Sequence, residues 1–257
     1  VRSPRWPGWV VLALAGLYFV VPLVATAQFS LDNPGHGLFS AYAGIFADGA
    51  FWHGLAFSLA AAVGTVALGL VMVVPAAYWS RLKAPRMHGW IEMLSLLSFV
   101  VPPIVLVFGE VSLYSGSIWP LSIRGVMLVG AYAIVSLPYL FRAVDNGLAS
   151  LHAAVLTEAA QSLGAGWWYL LARVIVPNLR ASIVGGAFLT FALAMGEYAI
   201  ASMLGFNNLG VYMFQTGENA AQGAAAVAII AFLAVWGTMA AMHLFTRGEL
   251  SIGGGAR

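Results

Sequence analysis

The chain of 257 residues has no cysteine, and only 8% of its residues carry a charge. Without cysteine there are no disulfides, thiolate metal sites or cysteine nucleophiles. Lysine is nearly absent as well. Lys83 stands between Leu82 and Ala84, so no Gly-Lys-Ser or Gly-Lys-Thr segment exists to hold nucleotide phosphates. The histidines at 36, 53, 88, 152 and 243 form no pair at i and i+4 of the kind a helical zinc-protease site needs. No Gly-x-Ser-x-Gly nucleophile elbow occurs either. These absences point away from an enzyme and leave no catalytic set and no metal or cofactor site. The scarcity of charge excludes a soluble domain, in which about a quarter of residues would be charged.

What is present is apolar. Hydrophobic residues make up 61% of the chain, and the mean hydropathy is +0.91. Runs long enough to cross hydrocarbon lie at about 9–28, 54–79, 91–113, 124–144, 181–205 and 223–245. Backbone groups in lipid must be bonded internally, so these runs read as helices. The expected fold is an all-α integral membrane domain over residues 1–257, with six transmembrane helices and a polar loop at about 146–180. Six spans of roughly 20 residues leave room for loops only. Any ATPase or solute-capturing domain is then expected on other chains.

Basic residues set the direction. Arg2, Arg5, Arg81, Lys83, Arg86, Arg142, Arg173, Arg180, Arg247 and Arg257 fall on one side of a six-span arrangement, and Arg124 alone falls on the other. The positive-inside bias puts both termini and the long loop in the cytoplasm. The sequence pI near 9.1 thus reflects topology, and no nucleic-acid partner is expected. Arg2 and Arg5 before an apolar run ending in Ala25-Thr26-Ala27 also resemble a secretory signal. The segment is read instead as a true span, with Trp6 and Trp9 as interfacial anchors.

The long loop has its own character. Ser150 to Leu163 is rich in Ala and Leu, a good helix composition. Leu151, Val155, Ala159 and Ser162 fall at three- and four-residue spacing, giving a weak apolar face. Gly164 and Gly166 break the helix. Trp167-Trp168-Tyr169-Leu170-Leu171 suits a membrane interface, and Pro177 ends that segment before the fifth span.

Glu158-Ala159-Ala160-Gln161-Ser162-Leu163-Gly164, with Val174-x-Val176-Pro177 downstream, resembles the cytoplasmic loop of ABC-importer permeases of type I. The resemblance implies that Glu158, Ala159, Ala160, Ser162, Leu163, Gly164 and Pro177 belong to a coupling helix docked on an ATPase subunit. It also implies the partners. These are two copies of an ATP-binding subunit that carries ATP and Mg, a second permease chain forming a heterodimer or a homodimer, and an extracytoplasmic solute-binding protein. The resemblance implies, too, that the bilayer is a bacterial cell (inner) membrane. The segments Ala192–Tyr198 and Ala201–Gly205 look like the fifth span of the polyamine-type (spermidine/putrescine-like) branch, whose relatives also handle phosphonates, ferric iron and thiamine.

Ionisable residues in hydrocarbon are functional candidates. Glu197 lies about sixteen residues into the expected fifth span, about 24 Å along its axis. With Tyr198, and with Tyr132 and Ser136 of the fourth span, it is the candidate solute pathway. Glu92 and Glu110, near the ends of the third span, are expected to face water. Pro102-Pro103, Pro22, Pro75 and Pro138 are expected to interrupt their spans. The stripes Ser182-Gly186-Thr190-Ala194 and Ala61-Thr65-Gly69 are read as packing surfaces. Few basic residues lie outside the cytoplasmic segments, which favours a cationic or zwitterionic solute. The rival classes are an ion-coupled secondary transporter, for which paired acids or inverted repeats are missing, and a channel, which needs no such loop.

Overall fold

The computed structural model describes residues 6–32, 37–114 and 124–248. Among them all regular structure is helical. In chain order the helices are α1 (Trp6–Leu31), α2 (Ser40–Ala47), α3 (Gly49–Leu82), α4 (Pro85–Val100), α5 (Pro103–Tyr114), α6 (Arg124–Ser150) and α7 (Ala153–Ser162). Then come α8 (Trp167–Tyr169), a π-helical stretch (Leu170–Ile175) and α9 (Val176–Asn178). The chain closes with α10 (Arg180–Gly196), α11 (Ala199–Met203), α12 (Leu209–Asn219) and α13 (Ala221–Gly248). Arg2, Arg5, Arg257 and the side chains of Trp6, Arg124, His243 and Arg247 lie outside the described residues.

Four of the described helices, α1, α3, α6 and α13, are long and apolar enough to cross a membrane. There are six crossings if each of two bent pairs counts as one. The first bent pair is the interruption expected at Pro102-Pro103 within the run at 91–113. α4 ends at Val100 and α5 starts at Pro103, with the two axes at 104°. Pro102 disfavours helical backbone at Val101, which is extended (φ −82°, ψ 115°). Two consecutive prolines also withhold two ladder donors. Single prolines behave otherwise. Pro22, Pro75 and Pro138 sit inside unbroken helices, because one missing N–H in an apolar helix is tolerated.

The second bent pair is the segment Trp167–Asn178 and α10, at 78°. The helix runs through Pro177 to Asn178 before the chain turns at Leu179. Upstream of Pro177 the ladder widens to a π pattern, with the Val176 N–H donating to the Leu171 carbonyl. The expected span at 181–205 is likewise shorter than anticipated. α10 ends at Gly196, and Glu197 is extended (ψ 127°). In the other direction, α6 continues to Ser150, so the first residues of the expected loop are helical.

α3, α6 and α10 pack on one another and form the centre. Their buried side chains make two clusters along the axes. One gathers Phe51, Ala61, Leu128, Tyr132, Phe191 and Ile200. The other gathers Val74, Tyr78, Phe141, Leu148, Leu170 and Ile175 at the α7 end. α1 leans against α13 and α2 and is exposed along nearly its whole length, Trp9 included. Among its described side chains Ser30 alone is buried, and it shares a hydrogen bond of 2.7 Å with the Tyr42 hydroxyl.

The small-residue stripes are where the central helices touch. A Cβ at Gly186 would stand 2.9 Å from the Ala143 Cβ and 2.9 Å from a Leu140 methyl. One at Gly69 would meet Leu140 at 2.8 Å, and one at Gly147 would overlap the Ser182 side chain. All are closer than van der Waals contact, so the helices approach as closely as glycine permits. We expect Gly186→Leu to destabilise the α6–α10 contact by about 1–3 kcal/mol. Gly185→Leu should leave it unchanged, since nothing lies within 4 Å of a Cβ there. Melting temperatures of the two variants in detergent check this, and equal values would contradict the packing.

Candidate functional site

The loop helix α7 has a geometrically defined start and stop. It begins after His152, the sole described non-glycine residue with positive φ (50°). At its other end Gly164 takes φ +81°. There the Ala165 N–H donates to the Ala160 carbonyl (3.0 Å), and the Gly164 N–H donates to the Gln161 carbonyl (2.9 Å). This is the Schellman pattern, and it requires a left-handed residue where Gly164 stands. The surroundings of Gly164 are otherwise open, with nothing within 4 Å of the place a Cβ would take.

α7 presents the opposite face from the one its periodicity suggested. Ala153 and Thr157 are buried, whereas Val155 is 65% exposed and Glu158, Ala159 and Ser162 are exposed. Two contacts decide the orientation: Ala153 enters the cluster of Val74, Tyr78 and Leu170, and the Thr157 hydroxyl meets the Tyr78 hydroxyl at 3.1 Å. Leu163 is 90% exposed. Ala160, Leu163, Gly164, Ala165, Gly166, Tyr169 and Val174 line an open groove of about 560 Å³. Pro177 lies beyond it, at the end of the following helix. Trp168 is exposed, while Trp167 packs on the core.

The same end carries ion pairs that sequence reading missed. Arg81 of α3 grips Asp145 of α6 through two bonds, Nε to Oδ1 at 2.7 Å and the terminal nitrogen to Oδ2 at 2.8 Å. Asp145 is buried. His88 of α4 approaches the same carboxylate at 3.5 Å, and its other ring nitrogen lies 3.3 Å from the Ser80 hydroxyl. Arg142 pairs with Glu92 at 3.3 Å on the more exposed flank. A bidentate grip fixes direction as well as distance, so α3, α4 and α6 are joined where the loop leaves the bundle. The one signal in the sequence was Asp145, an acid at the end of a span otherwise closed by basic residues.

Two of the four candidate pathway residues, Tyr132 and Glu197, meet at the far end. Tyr132 is buried, and its hydroxyl lies beside the Glu197 carboxylate and accepts a hydrogen bond from Asn208 Nδ2 at 3.3 Å. Asn208 also donates to the Glu197 carbonyl, and its Oδ1 accepts from the Val211 N–H at 2.8 Å, starting α12. The Glu197 carboxylate accepts from the N–H groups of Ile200 (3.0 Å) and Ala201 (3.3 Å) and so caps α11. Tyr198 is partly exposed against Phe214, with ring centroids 4.9 Å apart. Ser136, one turn along α6, is buried and bonds back to the Ala133 carbonyl at 3.2 Å. Asn208 was missed, although Asn before Leu-Gly-Val is an ordinary helix-start signal. Glu110 is buried rather than facing water, while Glu92 is partly exposed as expected.

Residues 66–247 match the family described as binding-protein-dependent transport system inner membrane component. The chain belongs to this family. As an inner membrane component it is similar to the thiamine transport system permease protein ThiP of Salmonella typhimurium, 30% identical over 79% of this chain and 40% of that protein. The chain thus spans well under half the length of that relative. It is 28% identical to the putative 2-aminoethylphosphonate transport system permease protein PhnV of Salmonella paratyphi A, over 87% of this chain and 88% of that one. The molybdenum transport system permease protein ModB of Azotobacter vinelandii is 31% identical over 56% of this chain and 68% of its own. In fold, the chain resembles a bacterial ABC transporter that imports the acidic polysaccharide alginate, with a TM-score of 0.71 at 13% identity, covering 95% of this chain and 96% of that one.

For this inner membrane component the loop geometry predicts a selective defect. Gly164→Val places a β-branched residue at φ +81°, at a cost of about 1–2 kcal/mol, and should open the α7 cap while membrane insertion stays normal. Gly166→Ala, at φ −71°, should be silent. Protease sensitivity of the loop in intact membrane vesicles reports the difference.

Proposed function

We propose that the chain is the permease subunit of an ABC importer, forming the solute path and coupling it to ATP hydrolysis on a separate ATPase chain. The observation that carries this reading is the exposure of Glu158, Ala159, Ser162 and Leu163 on a helix whose other face is bonded into the core. Exposed Leu163 and Tyr169 share one open groove beside this helix, and apolar side chains gathered on one surface mark an interaction site. Closure of two ATP-bound subunits against α7 would move it as a unit. Tyr78–Thr157 and Arg81–Asp145 pass that displacement to α3 and α6, favouring one conformation of the path over another. ATP and Mg stay on the partner.

The assembly we propose has two ATP-binding subunits, a second and distinct permease, and an extracytoplasmic solute-binding protein, in a bacterial cell membrane. Both termini and α7 face the cytoplasm, as the basic residues direct. The six crossings count each bent pair once, with α7 as the coupling helix. Glu197, Tyr198, Tyr132 and Ser136 line or support the path. The solute is a small cation or zwitterion. Thiamine and 2-aminoethylphosphonate, named for two relatives, both carry a cationic nitrogen. A polyamine belongs to the same chemical class and is the solute of the branch that Ala192–Gly205 resembles.

The chain has no cysteine, so Leu163→Cys introduces a single thiol at the exposed tip. A short bifunctional crosslinker at that thiol should capture a nucleotide-binding subunit in native membranes. Failure to capture one, with the complex otherwise intact, would remove the coupling role. Glu197→Gln should preserve assembly and change solute uptake or solute-stimulated ATPase activity. Unchanged uptake in that variant would take Glu197 out of the path.

A further inference from the structure

Glu110 is a carboxylate on an apolar face. Leu106, Val107, Glu110 and Tyr114 recur at three- and four-residue spacing along the inner side of α5. α5 packs on α6 and α11. Glu110 is 9% exposed, and its Oε2 has no hydrogen-bond partner. Its Oε1 points to Gly130 of α6, where a Cβ would stand 3.7 Å away. The glycine places no side chain against the carboxylate.

A buried, unpaired carboxylate in a membrane helix is among the least favourable arrangements a protein can keep. Nothing described around Glu110 offsets it. α5, α11 and α6 from Gly125 to Phe141 contain no Lys, Arg or His. The N-terminal amides of α11, which could have served, are already occupied by the Glu197 carboxylate. What covers the site is slight: α11 has five residues, bounded by extended Glu197 and by Gly205 at φ +77°. The site has an acceptor, a glycine where a larger side chain could have stood, and a short covering helix with a break on each side. It lacks a cation.

We infer that Glu110 recognises the cationic nitrogen of the solute, enclosed behind α11 in the state seen here. This rests on the reading of the solute as a small cation or zwitterion. An ammonium group supplies the charge and the N–H donors that Oε2 lacks. A neutral, merely structural Glu110 would bind nothing, and its amide would then serve equally well.

The test uses the assembled transporter in membrane vesicles. Glu110→Cys places a single thiol in this chain, and a membrane-impermeant cationic methanethiosulfonate should modify it in the nucleotide-free or the ATP-trapped state, read as added mass on this chain. No adduct in either state overturns the proposal. Uptake of thiamine, 2-aminoethylphosphonate, spermidine and molybdate is then compared between the unaltered transporter and Glu110→Gln. Uptake of the cationic or zwitterionic solute should fall at least about tenfold, as loss of one charge-assisted hydrogen bond implies, and Glu110→Asp should restore part of it. Normal uptake in Glu110→Gln overturns the role of Glu110 alone. Uptake of molybdate only, by the unaltered transporter, overturns the reading of the solute class.

Discussion

Close approach of α6 to α3 and α10 is the constraint on which the other features depend. Gly69, Gly147 and Gly186 let Leu140 and Ser182 enter the space a Cβ would need. In a bilayer, lipid tails compete with apolar side chains on nearly equal terms. Helix association therefore relies on dispersion contacts between well-fitted surfaces. Bringing three helices together at glycine distance supplies many such contacts. It also sets where the ends of α3 and α6 lie, and hence the separation across which Arg81 reaches Asp145.

That ion pair and the Tyr78–Thr157 bond give the loop its mechanical meaning. A short helix such as α7 has little stability of its own. Its rigidity comes from one face packed against α3 and the π-helical stretch and from a glycine-dependent stop at Gly164. The outward face is consequently free of structural duty. On the proposed coupling role, a push on that face would be passed to α3 and α6 through these bonds.

The far end is built differently. Two interruptions, Val101-Pro102 and Glu197 to Gly205, divide crossings that composition alone renders continuous. Broken helices at membrane depth free backbone groups that must be satisfied by protein. Here the Glu197 carboxylate and the Asn208 side chain do that, and the Ser58 hydroxyl accepts the Leu209 N–H at 2.9 Å. The same breaks bring Glu110, Tyr132 and Glu197 onto neighbouring elements, where a continuous helix would have carried Glu197 onward along its axis.

The sequence by itself determined the helical class, the apolar runs, the segregation of basic residues, the glycine stop at Gly164 and the small-residue stripes. Each follows from local chemistry: hydropathy, backbone freedom and side-chain size act at the residue that carries them. Only the tertiary structure decided which face of α7 turns inward, because that depended on a distant hydroxyl, Tyr78. It also decided which prolines break a helix. Pro22, Pro75 and Pro138 leave a single donor missing, whereas Pro102-Pro103 leaves two and moves Val101 out of helical backbone. Glu110 was legible as an acid near a span end. Its burial came from the bend at Val101-Pro102, which turns that side of α5 onto α6 and α11. Pairings such as Arg81–Asp145 and Tyr132–Asn208 join residues more than sixty positions apart, and no local pattern encodes a contact of that range.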